Sequence, residues 1–305
     1  MRIIFHAGLH KTATSAFQKL CLENRGILAS RGIYFSELFD QGNGYAAIYE
    51  TFQGKYQRFS EFVKAAVRSA KAQSCEYILF SAEDLENVLL DHQLAVSLEG
   101  ICKAHGINTC VWFFVIREEY EYFESLYSQL ARDSQVIDYK VMGSFILANG
   151  HYSCLIPRFR WYFAFDYFVY FSSFFNRGFS GGVVHYDDFV DDFPGAVLFR
   201  SVLEADQFVE FRRNLISRDV QLNKRDSREI TEARYVARFL GLRPEELVDF
   251  DTNKVLSPLV SRRVQMRSTL GPFFERRFKD RFGSSECLLN DDSGKKWPTD
   301  IVKLV

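Results

Sequence analysis

Apolar residues recur along the first half of this chain in two alternating rhythms. Unbroken short runs (Ile3-Ile4-Phe5, Ile33 to Phe35, Tyr77-Ile78-Leu79-Phe80 and Thr109 to Ile116) read as strands. Between them apolar positions fall at helical period: Phe17, Leu20, Cys21, Ile27 and Leu28 within 14–30, and Phe59, Phe62, Val63, Ala66, Val67 and Ala70 within 59–72. A third helix is predicted over 88–105, and a fourth after Glu118, with Phe123, Leu126, Tyr127 and Leu130 on its apolar face. Gly32 and Gly106 stand where two of these helices stop. The run Thr109 to Ile116 has the pattern of a central parallel strand covered on both faces. Alternating strands and helices predict an α/β fold: a parallel sheet of about five strands with helices on both faces. A more helical C-terminal half follows, and 1–305 reads as one continuous domain.

Two later stretches are less regular. Gly182 to Phe189 reads as a further strand with a polar end. The aromatic stretch Phe159 to Phe175 is shorter than the ~20 apolar residues of a membrane span and contains Arg160 and Asp166, so a transmembrane segment is rejected. A buried or half-buried amphipathic helix is expected there, with an apolar acceptor-binding wall or an interfacial face as the alternative. The segment 40–56, rich in glycine and polar residues, is expected to be a loop near a ligand.

Composition narrows the class. The 305 residues carry a net charge of -1, which argues against a general nucleic-acid or anionic-membrane binder. Arginine is dense between Arg200 and Arg281, where either a local anion site or a solvated helical surface fits. The six cysteines (Cys21, Cys75, Cys102, Cys110, Cys154, Cys287) stand singly, as reduced thiols of a cytoplasmic protein do. No signal peptide is read at the start, where the chain opens on a strand after one Arg. No G-x-G-x-x-G follows a strand, and no G-x-S-x-G elbow is present. His6 and His10 fall on a strand and a loop with no third ligand cluster, so no metal is expected.

Candidate chemistry concentrates at the first strand-to-helix junction, HAGLHKTATSAFQ. Gly8, Lys11, Thr12, Thr14 and Ser15 are residue types that wrap an oxyanion: a glycine, an ammonium, small hydroxyls and the open amides of a helix N-terminus. The nucleoside-triphosphate loop needs GK followed by Ser or Thr; here Lys11 comes three residues after Gly8 and is followed by Thr-Ala-Thr-Ser, so that pattern fails. At the end of the third strand, Ser81-Ala82-Glu83-Asp84 lies where open α/β sheets bind ligands. Ser81 as a helix cap, and the acids as a Mg²⁺ site, are competing readings. At the end of the fourth strand stands Arg117, with Ser125 eight residues on, roughly 12 Å along a helix axis.

The loop HAGLHKTATSAFQ resembles the 5'-phosphosulfate loop of the sulfotransferases, in particular the bacterial family whose loops read close to H-x-G-x-H-K-T-G-T-T/S. Ala13 departs from that family's glycine. Ser81-Ala82-Glu83 resembles the family's S-S-E, and strand, Arg117, helix and Ser125 are similar to its signature for the nucleotide's 3'-phosphate. Asn223-Lys224-Arg225 is similar to the family's asparagine-led segment near that phosphate, with Arg225 and Arg228 as candidate partners. The resemblance covers 1–132 with specific motifs and the rest in outline.

It implies a P-loop NTPase-like fold and transfer of a sulfuryl group from 3'-phosphoadenosine 5'-phosphosulfate (PAPS) to a hydroxyl or amine of a small molecule, saccharide or glycolipid, without a metal. Lys11 would stabilise the bridging oxygen. The amides of residues 10–15, Ala13 among them, would cradle the 5'-phosphate with the Thr12, Thr14 and Ser15 hydroxyls. Arg117, Ser125 and Arg225 would hold the 3'-phosphate. Glu83 is expected to be the general base, with His10 second. An ATP- and Mg²⁺-dependent kinase or hydrolase, and a non-catalytic nucleotide-binding scaffold, are the rival readings.

Overall fold

A computed structural model describes residues 1–36, 48, 50–132, 135, 137–156, 159–216, 227–241 and 257–283. The chain divides into two compact units. The first comprises 1–117, 153–222 and 286–305, and the second 118–152 and 223–285.

The first unit is built on an all-parallel five-stranded sheet. Its chain runs through β1 (Arg2–Gly8), α1 (Thr14–Glu23), α2 (Arg25–Ser30), β2 (Ile33–Phe35), α3 (Gln57–Ala72), β3 (Tyr77–Ser81), a 3₁₀ helix (Glu83–Leu89), α4 (His92–Ala104) and β4 (Thr109–Ile116). After α5 (Glu119–Arg132) and α6 (Tyr139–Asn149), which belong to the second unit, come β5 (His151–Ile156), β6 (Phe159–Ala164), α7 (Tyr167–Phe175), β7 (Gly181–His185), α8 (Tyr186–Val190), α9 (Ala196–Val202) and α10 (Ala205–Asn214). Strand order across the sheet is β2-β3-β1-β4-β7, and β5 and β6 pair as a separate two-stranded sheet.

Successive side chains of a strand point to opposite faces, and the two faces of this sheet have different covers. Ile4, Leu79, Phe113, Val115 and Val184 join Phe17, Leu20, Phe189, Phe199 and Phe211 of α1, α8, α9 and α10. On the other face the Phe5 ring stacks on Trp112 at 4.4 Å, Phe80 meets Phe62 of α3 at 5.0 Å, and Phe114 meets Phe174 of α7 edge-on at 5.3 Å. Chain direction determines where a ligand can sit. β1 leads away toward β2 on one side and β4 toward β7 on the other, so the winding reverses between the C-terminal ends of β1 and β4, the crevice where open α/β sheets bind ligands.

Four expected elements differ. The helix expected over 14–30 breaks at Asn24, whose Nδ2 donates to the Leu20 and Ile216 carbonyls while its Oδ1 accepts the Ile216 N–H. Phe159 to Phe175 is not one helix but strand β6 followed by α7. Asp166 caps α7 by accepting the Val169 N–H at 3.2 Å, and the β6 amides of Tyr162 and Ala164 donate to Asn87 and Glu86. The strand expected to run to Phe189 ends at His185, where α8 begins. Glu83 opens a 3₁₀ helix directly after β3, ahead of α4. Its N-cap position is Ala82, so Ser81 is a buried strand residue and not a cap.

The second unit is helical: α5, α6, α11 (Arg228–Phe239) and α12 (Ser257–Phe282). Its interior is partly ionic. Arg267, 1% exposed, donates to Glu124 at 2.7 Å and lies over the rings of Tyr127 and Tyr139, and the Tyr139 hydroxyl donates to Glu124 at 2.6 Å. Arg263 donates to Glu232 at 2.8 Å and to Asp138 at 3.2 Å. The arginine density of this part of the sequence is therefore, at Arg263 and Arg267, internal charge pairing instead of an anion site or a solvated face.

Among the described residues no helix is long and apolar enough to cross a membrane. Cys21, Cys75, Cys102, Cys110 and Cys154 are free thiols, and Cys110 alone of these is not buried.

Candidate functional site

The loop between β1 and α1 lies at the reversal point of the sheet. Leu9 N–H donates to the Val115 carbonyl of β4 at 3.1 Å, so the chain leaves β1 still anchored to its neighbour. It then turns: Thr12 N–H and Thr12 Oγ1 both reach the Leu9 carbonyl, at 3.2 and 2.5 Å. The turn needs left-handed backbone at Lys11 (φ 69°) and Ala13 (φ 61°). Ala13 is the N-cap residue of α1 and supplies no side-chain cap, so no side chain of the cap shields the first amides of the helix. Gly8 has to lack a side chain, because a Cβ there would run into the Thr14 and Thr12 hydroxyls. Thr14 Oγ1 is buried without a hydrogen-bond partner among the described residues, a costly state for a hydroxyl unless a ligand meets it. Ser15 is exposed on the first turn of α1. The Thr12 hydroxyl is committed to Leu9, so what it can still offer a phosphate is an acceptor lone pair and not its proton.

Arg117 follows β4 in the same crevice. Its Nη1 is 3.5 Å from the Lys11 carbonyl, its guanidinium lies over the Tyr186 ring at 4.9 Å, and its own carbonyl accepts the Tyr167 hydroxyl at 2.9 Å. Two aromatic residues thus fix both ends of the arginine beside the loop. Ser125 belongs to the second unit and is buried on α5. Asn223, Lys224 and Arg225 lie outside the described residues, as do 40–47 and 49 of the loop expected near a ligand. Arg228 begins α11 in the second unit and donates to Ser268 Oγ at 3.3 Å.

On the β3 side, His10 and Glu83 come together. His10 Nδ1 is 3.2 Å from Glu83 Oε2, an ion-pair distance at an angle off that of a straight hydrogen bond. The imidazole is 2% exposed, packed against Trp161 at 5.1 Å in a stacked arrangement and against the edge of Phe163 at 5.0 Å. Burial alone pulls its pKa down; contact with Glu83 and the charges of Glu83, Glu86 and Asp84 outweigh this and raise it to about 9. His10 is therefore an imidazolium at neutral pH. Asp84 is pushed up to about 6, first by burial and then by the Glu83 charge, with His10 opposing. Glu83 remains partly open to solvent, its side chain 23% exposed. Deeper in the sheet, His6 Nδ1 meets Ser81 Oγ at 2.8 Å, and Gln18 Nε2 donates to the Ser81 carbonyl at 2.8 Å. Burial lowers the His6 pKa to about 3, so His6 is neutral and its Ser81 bond ties β1 to β3, while Gln18 ties α1 to β3.

Three residues beside His10 escape a sequence reading. Glu86 accepts the His10 N–H at 3.2 Å and the Ala164 N–H at 2.8 Å, and Trp161 and Phe163 pack against the ring. A signal for Glu86 exists in Glu83-x-x-Glu86, since residues three apart eclipse in a 3₁₀ helix. None exists for the aromatic pair, which reaches His10 across 151 and 153 positions of sequence. Among the described residues no cluster of His, Cys, Asp and Glu is suited to a metal ion. No family model, curated protein or solved structure matches this chain.

Proposed function

We propose that this protein is a sulfotransferase that moves the sulfuryl group of PAPS to a hydroxyl or amine acceptor. The observation that carries the reading is the β1–α1 loop. It combines an uncapped helix start, left-handed Lys11 and Ala13, a side-chain-free Gly8 and a buried unpartnered Thr14 hydroxyl at the reversal point of a parallel sheet, with Arg117 fixed alongside. Open helix amides and an ammonium suit a phosphate. The arginine adds a fork for further phosphate oxygens.

Sulfuryl transfer is an in-line displacement in which charge spreads over the equatorial oxygens, so positioning and electrostatics supply most of the catalysis. Lys11 stabilises the bridging oxygen as the S–O bond to the leaving phosphate breaks. The acceptor loses its proton to a carboxylate on the far side of sulfur. Glu83 fits that role better than His10, because its carboxylate is partly open to solvent while the buried His10 already carries a proton. The acceptor itself is a small molecule or saccharide of unassigned structure.

The test is incubation with ³⁵S-labelled PAPS and an extract rich in hydroxyl compounds. Label should appear in a low-molecular-weight product with the wild type and not with Lys11→Ala. Glu83→Gln should keep nucleotide affinity and lose most turnover. Nucleotide binding without transfer to any acceptor would reassign the protein as a binding module. Mg²⁺-dependent ATP affinity would reassign it as a kinase or hydrolase.

A further inference from the structure

We propose that Glu86 is the positioning residue of this site: a single buried carboxylate that holds the Lys11 loop through the His10 amide and strand β6 through the Ala164 amide, and so fixes the His10 ring against Glu83. The role assigned to the pair rests on the sulfotransferase reading; the positioning does not.

Glu86 is fully buried, and an ionised carboxylate in the interior is costly unless its oxygens are engaged by good donors. Here each oxygen accepts a different backbone N–H, Oε2 from His10 and Oε1 from Ala164. Both donors come from elsewhere in the chain, one on the loop and one on β6. Asn87 repeats the tie one residue on, its Oδ1 accepting the Tyr162 N–H at 2.8 Å. Strand β6 is thereby attached to the 3₁₀ helix at alternate residues. Adjacent positions on a strand face opposite ways and alternate ones share a face, so attaching the strand at Tyr162 and Ala164 also fixes Trp161 and Phe163, the two rings packed against His10. Glu86 thus acts on His10 in three ways: through its amide, through the rings on β6 and through charge.

The groups facing the imidazole are Glu83, Asp84 and Glu86 on the 3₁₀ helix and the uncharged Trp161 and Phe163 on β6. A glutamine cannot replace Glu86, because it offers one acceptor oxygen where two N–H donors point. Aspartate keeps the charge but is one methylene too short to reach both amides.

The experiment compares the full-length wild type, Glu86→Gln and Glu86→Asp. The His10 ring is titrated by NMR, backbone amide exchange is followed at His10 and Ala164, and adenosine 3',5'-bisphosphate binding is measured on the same samples. In Glu86→Gln the His10 midpoint should move to lower pH by about one unit, with faster exchange at both amides. In Glu86→Asp the midpoint should return to near the wild-type value while one of the two amides stays fast. A purely structural residue would change melting temperature without moving the His10 midpoint, and that result overturns the proposal. Failure of both variants to fold would likewise assign Glu86 to stability alone. If the His10 results hold and the wild type does not bind the bisphosphate, Glu86 keeps its positioning role and the sulfotransferase reading falls.

Discussion

Ala13 carries a measurable consequence of the loop's shape. A left-handed backbone disfavours any residue with a Cβ, and Ala13 sits there at φ 61°. Ala13→Gly should raise stability by about 1 kcal/mol, read from the denaturant midpoint; a lower midpoint would mean that the methyl makes a compensating contact. His10 has a consequence in pH. Its folded pKa of about 9 lies above the unfolded value of 6.5, so the folded state holds the extra proton across that window. The contribution is fully present below pH 6.5 and is lost as pH rises through 9, about 3 kcal/mol at most. Melting temperature should therefore fall across pH 6.5 to 9 in the wild type and fall less in His10→Gln. His6 runs the opposite way: its folded pKa of about 3 makes the neutral ring a source of stability that is lost as pH falls from 6.5 toward 3. Asp84, with its pKa raised to about 6, partly offsets that loss between 3.8 and 6.

At the scale of elements, the capping of α7 makes a direct case. Asp166→Ala removes the side chain that accepts the Val169 N–H and should cost about 1 kcal/mol in urea unfolding. A neutral result would show that packing of Phe171 and Phe174 alone sets where the helix begins. The same residue explains what the sequence left ambiguous. In Phe159 to Phe175 eleven of seventeen positions are aromatic, so periods of 2 and 3.6 both find apolar residues, and the boundary is set by one capping aspartate and by Asn87 and Glu86, which lie more than seventy positions earlier. Where polar residues interrupt the apolar ones, as in Gln57–Ala72, the period is single and the helix is legible to within two residues. The strands β1 to β4 are legible for a related reason: a buried parallel strand is a short unbroken apolar run. Within the candidate site, Gly8, Lys11, Thr14, Glu83 and Arg117 are visible because each is local to a strand end. Trp161 and Tyr186 act through contacts that no local spacing encodes, and Glu86 is signalled only by its three-residue spacing from Glu83.

For the whole molecule, the second unit shows how arginine-rich sequence can be interior. Arg267 and Glu124 are 143 positions apart and buried together, so nothing in either neighbourhood announces the pair. Breaking it should be costly. Glu124→Gln leaves the Arg267 charge without its main partner and should destabilise by about 3 to 5 kcal/mol, measured by chemical denaturation, whereas replacing both residues with apolar ones of similar size should recover much of that loss. Equal loss in the single and double variants would show that the pair itself, and not the uncompensated charge, is what matters.

In the first unit, strand order brings the β1 loop and Arg117 to one crevice, proposed above to take a nucleotide phosphorylated at both its 5' and 3' positions. The most direct measurement is calorimetric titration of the full chain with adenosine 3',5'-bisphosphate, alongside adenosine 5'-monophosphate and ATP with Mg²⁺. Sub-millimolar binding of the bisphosphate is expected, with at least about tenfold weaker binding of the monophosphate (about 1.4 kcal/mol) and loss of bisphosphate binding in Lys11→Ala. Bisphosphate binding that is absent, no tighter than the monophosphate, or unchanged in Lys11→Ala would contradict the proposal.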